Sequence, residues 1–225
     1  MASNEQEVLR TLEEQADPRH TALVIVDVQN DFVHPEGVNK SPDYWEKFPQ
    51  FPKMLERLPR LLEAARKADN LIIFVRGIYD PQYIAPPFVV AMERMGLYGR
   101  ICISGTFGAD FFGDIRPAAE SSREVIVTKH RYSAFWGTDL DMILRSNGIK
   151  TLVMTGTSTS TCVESTTRDA FFNDYYVVLA EDCCADRSEQ LHQAMLQKVK
   201  GSFGLVVSSD EIMDVWSANV LSVER

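Results

Sequence analysis

The sequence predicts a single α/β domain, a three-layer αβα sandwich in which helices cover both faces of a mostly parallel sheet of about six strands. Short apolar runs alternate with helical patterns along nearly the whole chain, which is typical of this architecture. The apolar runs are continuous, as expected for strands that are buried on both faces. The chain has 225 residues, of which 45% are hydrophobic, and one compact domain can accommodate this length.

The first predicted strand covers residues 21–28, an apolar stretch interrupted only by Asp27 near its end. Five further runs have the same character and complete the sheet: residues 71–75, 124–128, 151–156, 176–180 and 204–208. Residues 1–20 are polar and acidic. We therefore expect an N-terminal extension at residues 1–20 and the domain at residues 21–225.

Apolar residues at helical spacing predict the helices between these strands. Pro59 lies inside the first long helix and is expected to kink or split it. Thr138 and Ser188 are suited to cap the start of two later helices, which Gly148 and Gly201 would end. The predicted helices are residues 52–68, 138–148, 163–174, 188–201 and 209–220.

Two stretches have no regular pattern, residues 33–51 and 77–115. Both are rich in proline, glycine and aromatic residues. Long irregular loops in a compact domain often form the walls of a binding site. We expect these stretches to form either a pocket wall or a subunit interface.

Charge and cysteine usage limit the expected partners and compartment. The net charge of −9 disfavours nucleic acid or an acidic membrane surface as a partner. The first residues lack a signal-peptide pattern, and no apolar run reaches the roughly 20 residues that a membrane span requires. We expect a cytoplasmic protein whose cysteines are thiols, without a cysteine-rich zinc site because no C-x-x-C pair occurs. The cysteines are Cys102, Cys162, Cys183 and Cys184.

Three reactive side chains lie at or after predicted strand ends. Asp27 ends the first strand, Lys129 directly follows the third, and Cys162 follows the fourth after a short polar loop, at the start of a helix. Because ligands of open α/β sheets bind beyond the carboxyl ends of the strands, these side chains are predicted to meet at one edge. Singly, each has an ordinary explanation as a cap, a solvated amine or a small buried residue. Their combination favours a functional site.

A carboxylate, an ammonium and a thiol together suit acyl transfer. A thiol attacks a carbonyl carbon as the thiolate. A helix N-terminus and the lysine both stabilise that anion, so we expect a lowered pKa for Cys162. A carboxylate can take up the thiol proton and later deliver it to a leaving amine. The small residues around Gly156 favour a tight loop whose backbone N–H groups would form an oxyanion hole.

The segments around these residues resemble the isochorismatase-like cysteine hydrolases. They read VIVDVQNDF, KHRYSAFWGTDLDMILRSNGI and TGTSTSTCVESTTRDAFFNDYYVVLAEDCCAD. The order of aspartate, lysine and cysteine also matches, and the resemblance extends from about Thr21 to about Trp216. Within the family, RYSAF and CVESTTRDAFF are most similar to the branch of the ureidoacrylate and N-carbamoylsarcosine amidohydrolases.

The resemblance implies a Rossmann-like sandwich, commonly a homodimer or homotetramer, that cleaves a C–N bond of a small linear amide or ureido compound through a thioester. It implies that Asp27, Lys129 and Cys162 form a catalytic triad. It also implies a cis peptide bond between Thr157 and Ser158. The backbone N–H groups of Ser158 and Cys162 would then form the oxyanion hole.

Other activities in the family remain open. Nicotinamidases carry an Asp/His metal cluster, but the histidines here do not form such a pattern, so we expect no metal and no cofactor. Isochorismatases cleave a vinyl ether and many lack the cysteine, so Cys162 favours C–N hydrolysis. A non-catalytic protein that binds small molecules is the remaining alternative. The histidines are His20, His34, His130 and His192.

Five further side chains are candidates for substrate contacts. Arg76 is expected either to bind a substrate carboxylate or to pair with Asp80. The aromatic pair that follows the lysine suits either a pocket wall or core packing. The candidates are Gln29, Arg76, Tyr132, Phe135 and Thr166.

Overall fold

The computed structural model describes residues 8–38 and 41–223 and confirms the predicted fold class. Within these residues, six strands form one sheet in the order β3-β2-β1-β4-β5-β6, and every neighbouring pair is parallel. The strands are β1 (Thr21–Val26), β2 (Leu71–Gly77), β3 (Glu124–Lys129), β4 (Thr151–Thr157), β5 (Tyr176–Ala185) and β6 (Leu205–Val207). The direction of strand progression reverses between β1 and β4, so this junction is the expected binding crevice of a doubly wound sheet.

Helices cover both faces of the sheet, as predicted. One face packs on α4 and α9, and the other on α6, α7 and α8. A π-helical turn, Thr159–Val163, leads directly into α7. The helices are α1 (Leu12–Gln15), α2 (Asn30–Val33), α3 (Tyr44–Lys47), α4 (Gln50–Lys67), α5 (Pro86–Arg94), α6 (Leu140–Ser146), α7 (Glu164–Phe172), α8 (Glu189–Ser202) and α9 (Ser209–Val223).

The two cores follow from side-chain alternation along the buried strands. Successive strand residues point to opposite faces. Val24 and Ile73 therefore lie in the core beneath α6–α8, whereas Leu23 and Ile72 lie in the core beneath α4 and α9. The central strands β1, β2 and β4 are buried on both faces, which explains why they are continuous apolar runs in the sequence.

Pro59 does not split α4, because the helix is continuous from Gln50 to Lys67. A proline inside a helix costs about 3 kcal/mol. Each large apolar side chain that becomes fully buried returns about 1.5–3 kcal/mol. The buried face of α4 carries several such residues and outweighs the loss: Phe51, Met54, Leu58, Leu61 and Leu62.

The helix caps differ from the predictions at two points. Ser188 caps α8 as predicted, accepting a hydrogen bond from Leu191 N–H at 3.2 Å. The N-cap position of α6 is Asp139 rather than Thr138, although Thr138 Oγ1 accepts from Leu140 N–H at 3.2 Å. The helix α8 ends at Ser202, one position beyond the predicted glycine.

The described part of the N-terminal extension packs on the domain. Leu9 and Ala16 are buried. Trp216 Nε1 in α9 donates to the Ala16 carbonyl at 3.0 Å, and Leu9 N–H donates to the Tyr176 hydroxyl at 3.0 Å. Residues 8–20 therefore contribute to the core that α9 closes. Across the described ranges, no helix has the length and apolar character needed to cross a membrane.

Candidate active site

Asp27, Lys129 and Cys162 meet at the carboxyl edge of the sheet, beside the junction of β1 and β4. Lys129 Nζ lies 2.7 Å from Asp27 Oδ2 and 3.4 Å from Cys162 Sγ. The side chains of Asp27 and Lys129 are 0% exposed, and Cys162 is 4% exposed. The ammonium group therefore bridges the carboxylate and the thiol inside the protein.

The end of β1 adopts a backbone turn that aims Asp27 into the site. Asp27 has a φ of 51°, a left-handed conformation that aspartate tolerates better than most residues. This interrupts the strand alternation directly after Val26. Gly156 on β4 has a φ of 106°, and a Cβ atom there would lie 2.1 Å from the Val26 carbonyl oxygen. A glycine is therefore required where the two strands approach each other next to the aspartate.

Lys129 is held by several acceptors. Besides the ion pair with Asp27, Nζ donates to the Tyr79 hydroxyl at 3.2 Å and to the Arg131 carbonyl at 3.0 Å. Burial by itself lowers the pKa of Lys129, but Asp27, Cys162 and Tyr79 together outweigh burial and raise the pKa well above its ordinary value. The group therefore stays a cation despite complete burial.

The pKa of the Cys162 thiol is shifted in the opposite direction from the one predicted. Burial raises the pKa of Cys162 to about 12, with Lys129 opposing the rise and Asp27 adding to it. The expectation of a lowered pKa is wrong, because loss of solvation outweighs the lysine charge. The thiol is therefore the resting form, and a thiolate must form by proton transfer inside the site.

Asp27 is the group that can take this proton. Burial raises the pKa of Asp27, although the charge of Lys129 and hydrogen bonds from Lys129 and Cys162 oppose the rise. A transfer from Cys162 to Asp27 moves one negative charge within the cluster and leaves its net charge unchanged. The ammonium contacts both atoms, so it stabilises the anion before and after the transfer.

The loop before the cysteine places several backbone groups close to the site. A cis peptide bond joins Thr157 and Ser158. The N–H groups of Thr161 and Val163 donate to the Ser158 carbonyl at 3.0 and 3.2 Å. These bonds fold the chain tightly around Cys162.

Two of the candidate substrate residues lie next to the triad. Tyr132 is half-buried, its ring lies 4.9 Å from that of Phe88, and both burial and Cys162 raise the pKa of its phenol. Thr166 is fully buried. Its Oγ1 donates to the Cys162 carbonyl at 2.7 Å and accepts from Ala134 N–H at 3.1 Å. Thr166 thus connects the nucleophile helix to the loop after Lys129.

Phe135 and Arg76 contact other residues of the protein. The ring of Phe135 packs 5.9 Å from that of Tyr175. Arg76 lies on the opposite face of the sheet from Lys129. There its Nε donates to Thr128 Oγ1 at 2.9 Å. Thr128 is therefore the partner of Arg76, and Asp80 accepts from Ser104 instead of Arg76.

Gln29 has a clamping role that sequence reasoning missed. Its Nε2 donates to the carbonyls of Gly77 at 3.0 Å and Ala109 at 2.8 Å, and its Oε1 accepts from Gly77 N–H at 2.8 Å. Asn30 Nδ2 donates to the Phe107 carbonyl at 2.8 Å. Gln29 and Asn30 thus bind the backbone of residues 77–115 next to the site. The polar run QND after a buried strand was the sequence signal that could have indicated these contacts.

Tyr79, which contacts Lys129, is a site residue that sequence reasoning missed. It lies within residues 77–115, the stretch expected to form either a pocket wall or an interface. The side chain is 3% exposed, and burial raises the pKa of its phenol well above the ordinary value. No motif marked it, because its position depends on how an irregular loop folds back over the sheet.

No group of three or more His, Cys, Asp or Glu side chains that could hold a metal ion lies in the described ranges. His130 stacks on Tyr83 with a ring separation of 3.9 Å, and its Nδ1 lies 2.6 Å from the Ile78 carbonyl. Neither contact involves the triad.

Comparison with known proteins identifies the family. The Isochorismatase domain matches residues 21–211, so the chain belongs to the isochorismatase family. The ureidoacrylate amidohydrolase RutB of Acinetobacter baylyi is 28% identical over 91% of this chain and 87% of its own length. RutB of Serratia proteamaculans is 30% identical over 89% of this chain and 84% of its own length.

A solved structure supports the same assignment. N-carbamoylsarcosine amidase from Thermoplasma acidophilum superposes with a TM-score of 0.64 and 31% sequence identity, covering 85% of this chain and 97% of that one. The chain is thus a hydrolase of this family. Both the family resemblance and its ureidoacrylate and N-carbamoylsarcosine branch, expected from the sequence, are confirmed.

Proposed function

We propose that this protein is a cysteine-dependent amidohydrolase that cleaves a C–N bond of a small linear amide or ureido compound through a thioester. The observation that carries the proposal is the buried bridge in which Lys129 contacts both Asp27 at 2.7 Å and Cys162 at 3.4 Å. In this bridge one ammonium group contacts both the carboxylate proposed as the base and the thiol proposed as the nucleophile. The relatives named as amidohydrolases and as an amidase support the choice of bond.

In the first half of the proposed reaction, Cys162 becomes acylated by the substrate. Asp27 takes the thiol proton, and Lys129 stabilises the thiolate. The sulfur attacks the substrate carbonyl carbon, and its π electrons move to oxygen. Backbone N–H groups of Ser158 and Cys162 donate to this oxyanion, a contribution of about 3 kcal/mol per donor. The C–N bond then breaks while Asp27 returns its proton to the leaving nitrogen.

In the second half, water releases the acyl group. Asp27 is a carboxylate again and takes a proton from the water that attacks the thioester. The C–S bond breaks, the acid leaves, and the proton returns to Cys162. The triad ends in its starting protonation state, so the cycle is balanced without any further reactant.

Release of ammonia or amine from a substrate panel tests the proposal. The panel contains linear ureides, N-carbamoyl amino acids, simple amides and nicotinamide. We expect turnover of at least one linear ureide or amide. We also expect an intact-mass adduct on Cys162 when the reaction is quenched early. Absence of turnover across the panel by folded protein, or turnover that survives Cys162→Ser, would contradict the proposal.

A further inference from the structure

The π-helical turn Thr159–Val163, here called the nucleophile turn, is supported from the connection that follows β5. Ser160 donates through both its N–H and its Oγ to Asp186 Oδ2, each at 2.8 Å. Asp186 Oδ1 accepts from Ser188 N–H at 3.1 Å, and Asp186 N–H donates to Gln50 Oε1 at 2.9 Å. Asp186 is therefore fixed by Ser188 and Gln50, and its carboxylate in turn holds Ser160 of the nucleophile turn.

A second support comes from α8. The His192 ring nitrogen Nδ1 lies 2.9 Å from Thr159 Oγ1, within hydrogen-bond distance. His192 is 6% exposed and Thr159 is 0% exposed. Burial lowers the pKa of His192, although Glu189 and Asp186 oppose the shift. The imidazole is therefore neutral near pH 7.

The position of the thiol depends on this turn. A π-helical turn is a rare backbone conformation that occurs mostly at functional sites. Thr159 and Ser160 are the first residues of the turn, and Cys162 follows them closely. A displacement of about 1 Å in a reacting group can cost about 100-fold in rate. Side chains that hold the start of the turn thus control the contact between Cys162 Sγ and Lys129 Nζ.

We propose that His192 is a positioning residue, whose hydrogen bond to Thr159 fixes the nucleophile turn so that Cys162 stays on the Lys129 ammonium. This inference rests on the proposed function, because it takes Cys162 as the nucleophile.

Three variants isolate the hydrogen bond. His192→Leu removes the ring nitrogens and keeps an apolar side chain in the buried position. His192→Asn retains a polar atom at the depth of Nδ1. Thr159→Val removes the partner hydroxyl at nearly constant volume. Gln193→Ala changes the neighbouring exposed position of α8 and serves as the matched control.

We expect His192→Leu and Thr159→Val each to lower kcat by about 10- to 100-fold, with KM nearly unchanged. His192→Asn should recover most of this loss, and the control should behave as the parent. Because the two residues share one bond, the double variant His192→Leu/Thr159→Val should lose no more than either single variant. A merely structural role would not produce this rescue.

A second readout needs no substrate. The rate of iodoacetamide alkylation of Cys162 at a fixed pH is followed by peptide mass mapping. We expect this rate to fall in His192→Leu and Thr159→Val, because the thiolate loses contact with Lys129, and to return in His192→Asn.

The two readouts separate the possible failures. Parental kcat and alkylation in folded His192→Leu would overturn the positioning role. So would an asparagine variant no better than the leucine variant. If His192→Leu does not fold, as judged by circular dichroism, Thr159→Val decides by the same readouts. If the parent hydrolyses no amide, the proposed function fails, and the alkylation rates still decide the role of His192.

Discussion

Cys162 and Cys184 lie after β4 and near the end of β5, and the difference between them shows what makes a buried thiol reactive. Both are buried, and burial raises the pKa of both. Cys162 contacts the Lys129 ammonium at 3.4 Å. Cys184 instead has Cys183 and Asp182 nearby, which raise its pKa further. Its Sγ lies 3.8 Å from the Met154 carbonyl oxygen.

The comparison teaches that burial alone produces an inert cysteine. A cation beside the sulfur stabilises a thiolate, and a carboxylate with a raised pKa can accept the proton. Cys162 has both partners, whereas Cys184 lies beside acidic groups. Thus the neighbouring groups, rather than burial, distinguish Cys162 as the candidate nucleophile.

The largest expected effect separates the two cysteines directly. Cys162→Ser should lower kcat by at least about 10⁴-fold, because removing a nucleophile leaves the catalysis that binding and the oxyanion hole provide. Cys184→Ser should keep parental kcat and lose about 1–3 kcal/mol of unfolding free energy, since it buries a hydroxyl. Steady-state rates and urea unfolding measure both. Equal loss of activity in the two variants would break the comparison.

Removing the cation should make Cys162 resemble Cys184. Lys129→Met should lower kcat by about 10³-fold, in line with the loss of a charge that stabilises a reacting group. It should also cost about 3–5 kcal/mol of unfolding free energy, because Asp27 is left buried without its partner. Rates and denaturant unfolding test this. Lys129→Arg, which retains the charge, is the control, and full activity in Lys129→Met would show that the cation is dispensable.

The pH dependence of kcat/KM should reveal the internal proton transfer. The reaction needs Asp27 as a carboxylate, and burial raises the pKa of Asp27. Activity should therefore fall as the pH decreases through a midpoint above the ordinary aspartate value of about 3.9.

On the alkaline side, activity should persist, because the pKa of Lys129 is raised well above its ordinary value of about 10.4. A profile of kcat/KM from about pH 3 to about pH 10 covers both the acid fall and the alkaline plateau. An acid midpoint below the ordinary aspartate value, or a loss of activity by about pH 9, would contradict the assignment.

The smallest expected effect concerns Tyr79. Tyr79→Phe removes the hydroxyl that accepts from Lys129 at 3.2 Å. A hydrogen bond to a charged group is worth about 1.5–3 kcal/mol, so kcat/KM should fall by about 10- to 150-fold. Tyr175→Phe, which removes a hydroxyl bonded to Asp141 at 2.8 Å, is a matched control outside the triad. An equal effect of both changes would show that Tyr79 acts through stability alone.

Much of the fold could be read from the sequence, for a physical reason. The central strands β1, β2 and β4 are buried on both faces and are therefore apolar throughout. The edge strands β3 and β6 are only partly buried but have similar apolar runs. Their carboxyl ends share one edge of the sheet, so the convergence of Asp27, Lys129 and Cys162 followed from the order of elements. The sequence did not predict that α4 continues through Pro59, because this depends on how much apolar surface the helix buries.

What the sequence determined by itself is therefore the sheet, the family and the three reactive groups. Only the tertiary structure decided their surroundings. Burial raises the pKa of Cys162, Gln29 is bonded to the carbonyls of Gly77 and Ala109, and His192 is bonded to Thr159. These contacts join residues far apart in the chain through irregular loops. Periodicity does not determine the path of such loops, whereas solvation and hydrogen bonding depend on it directly.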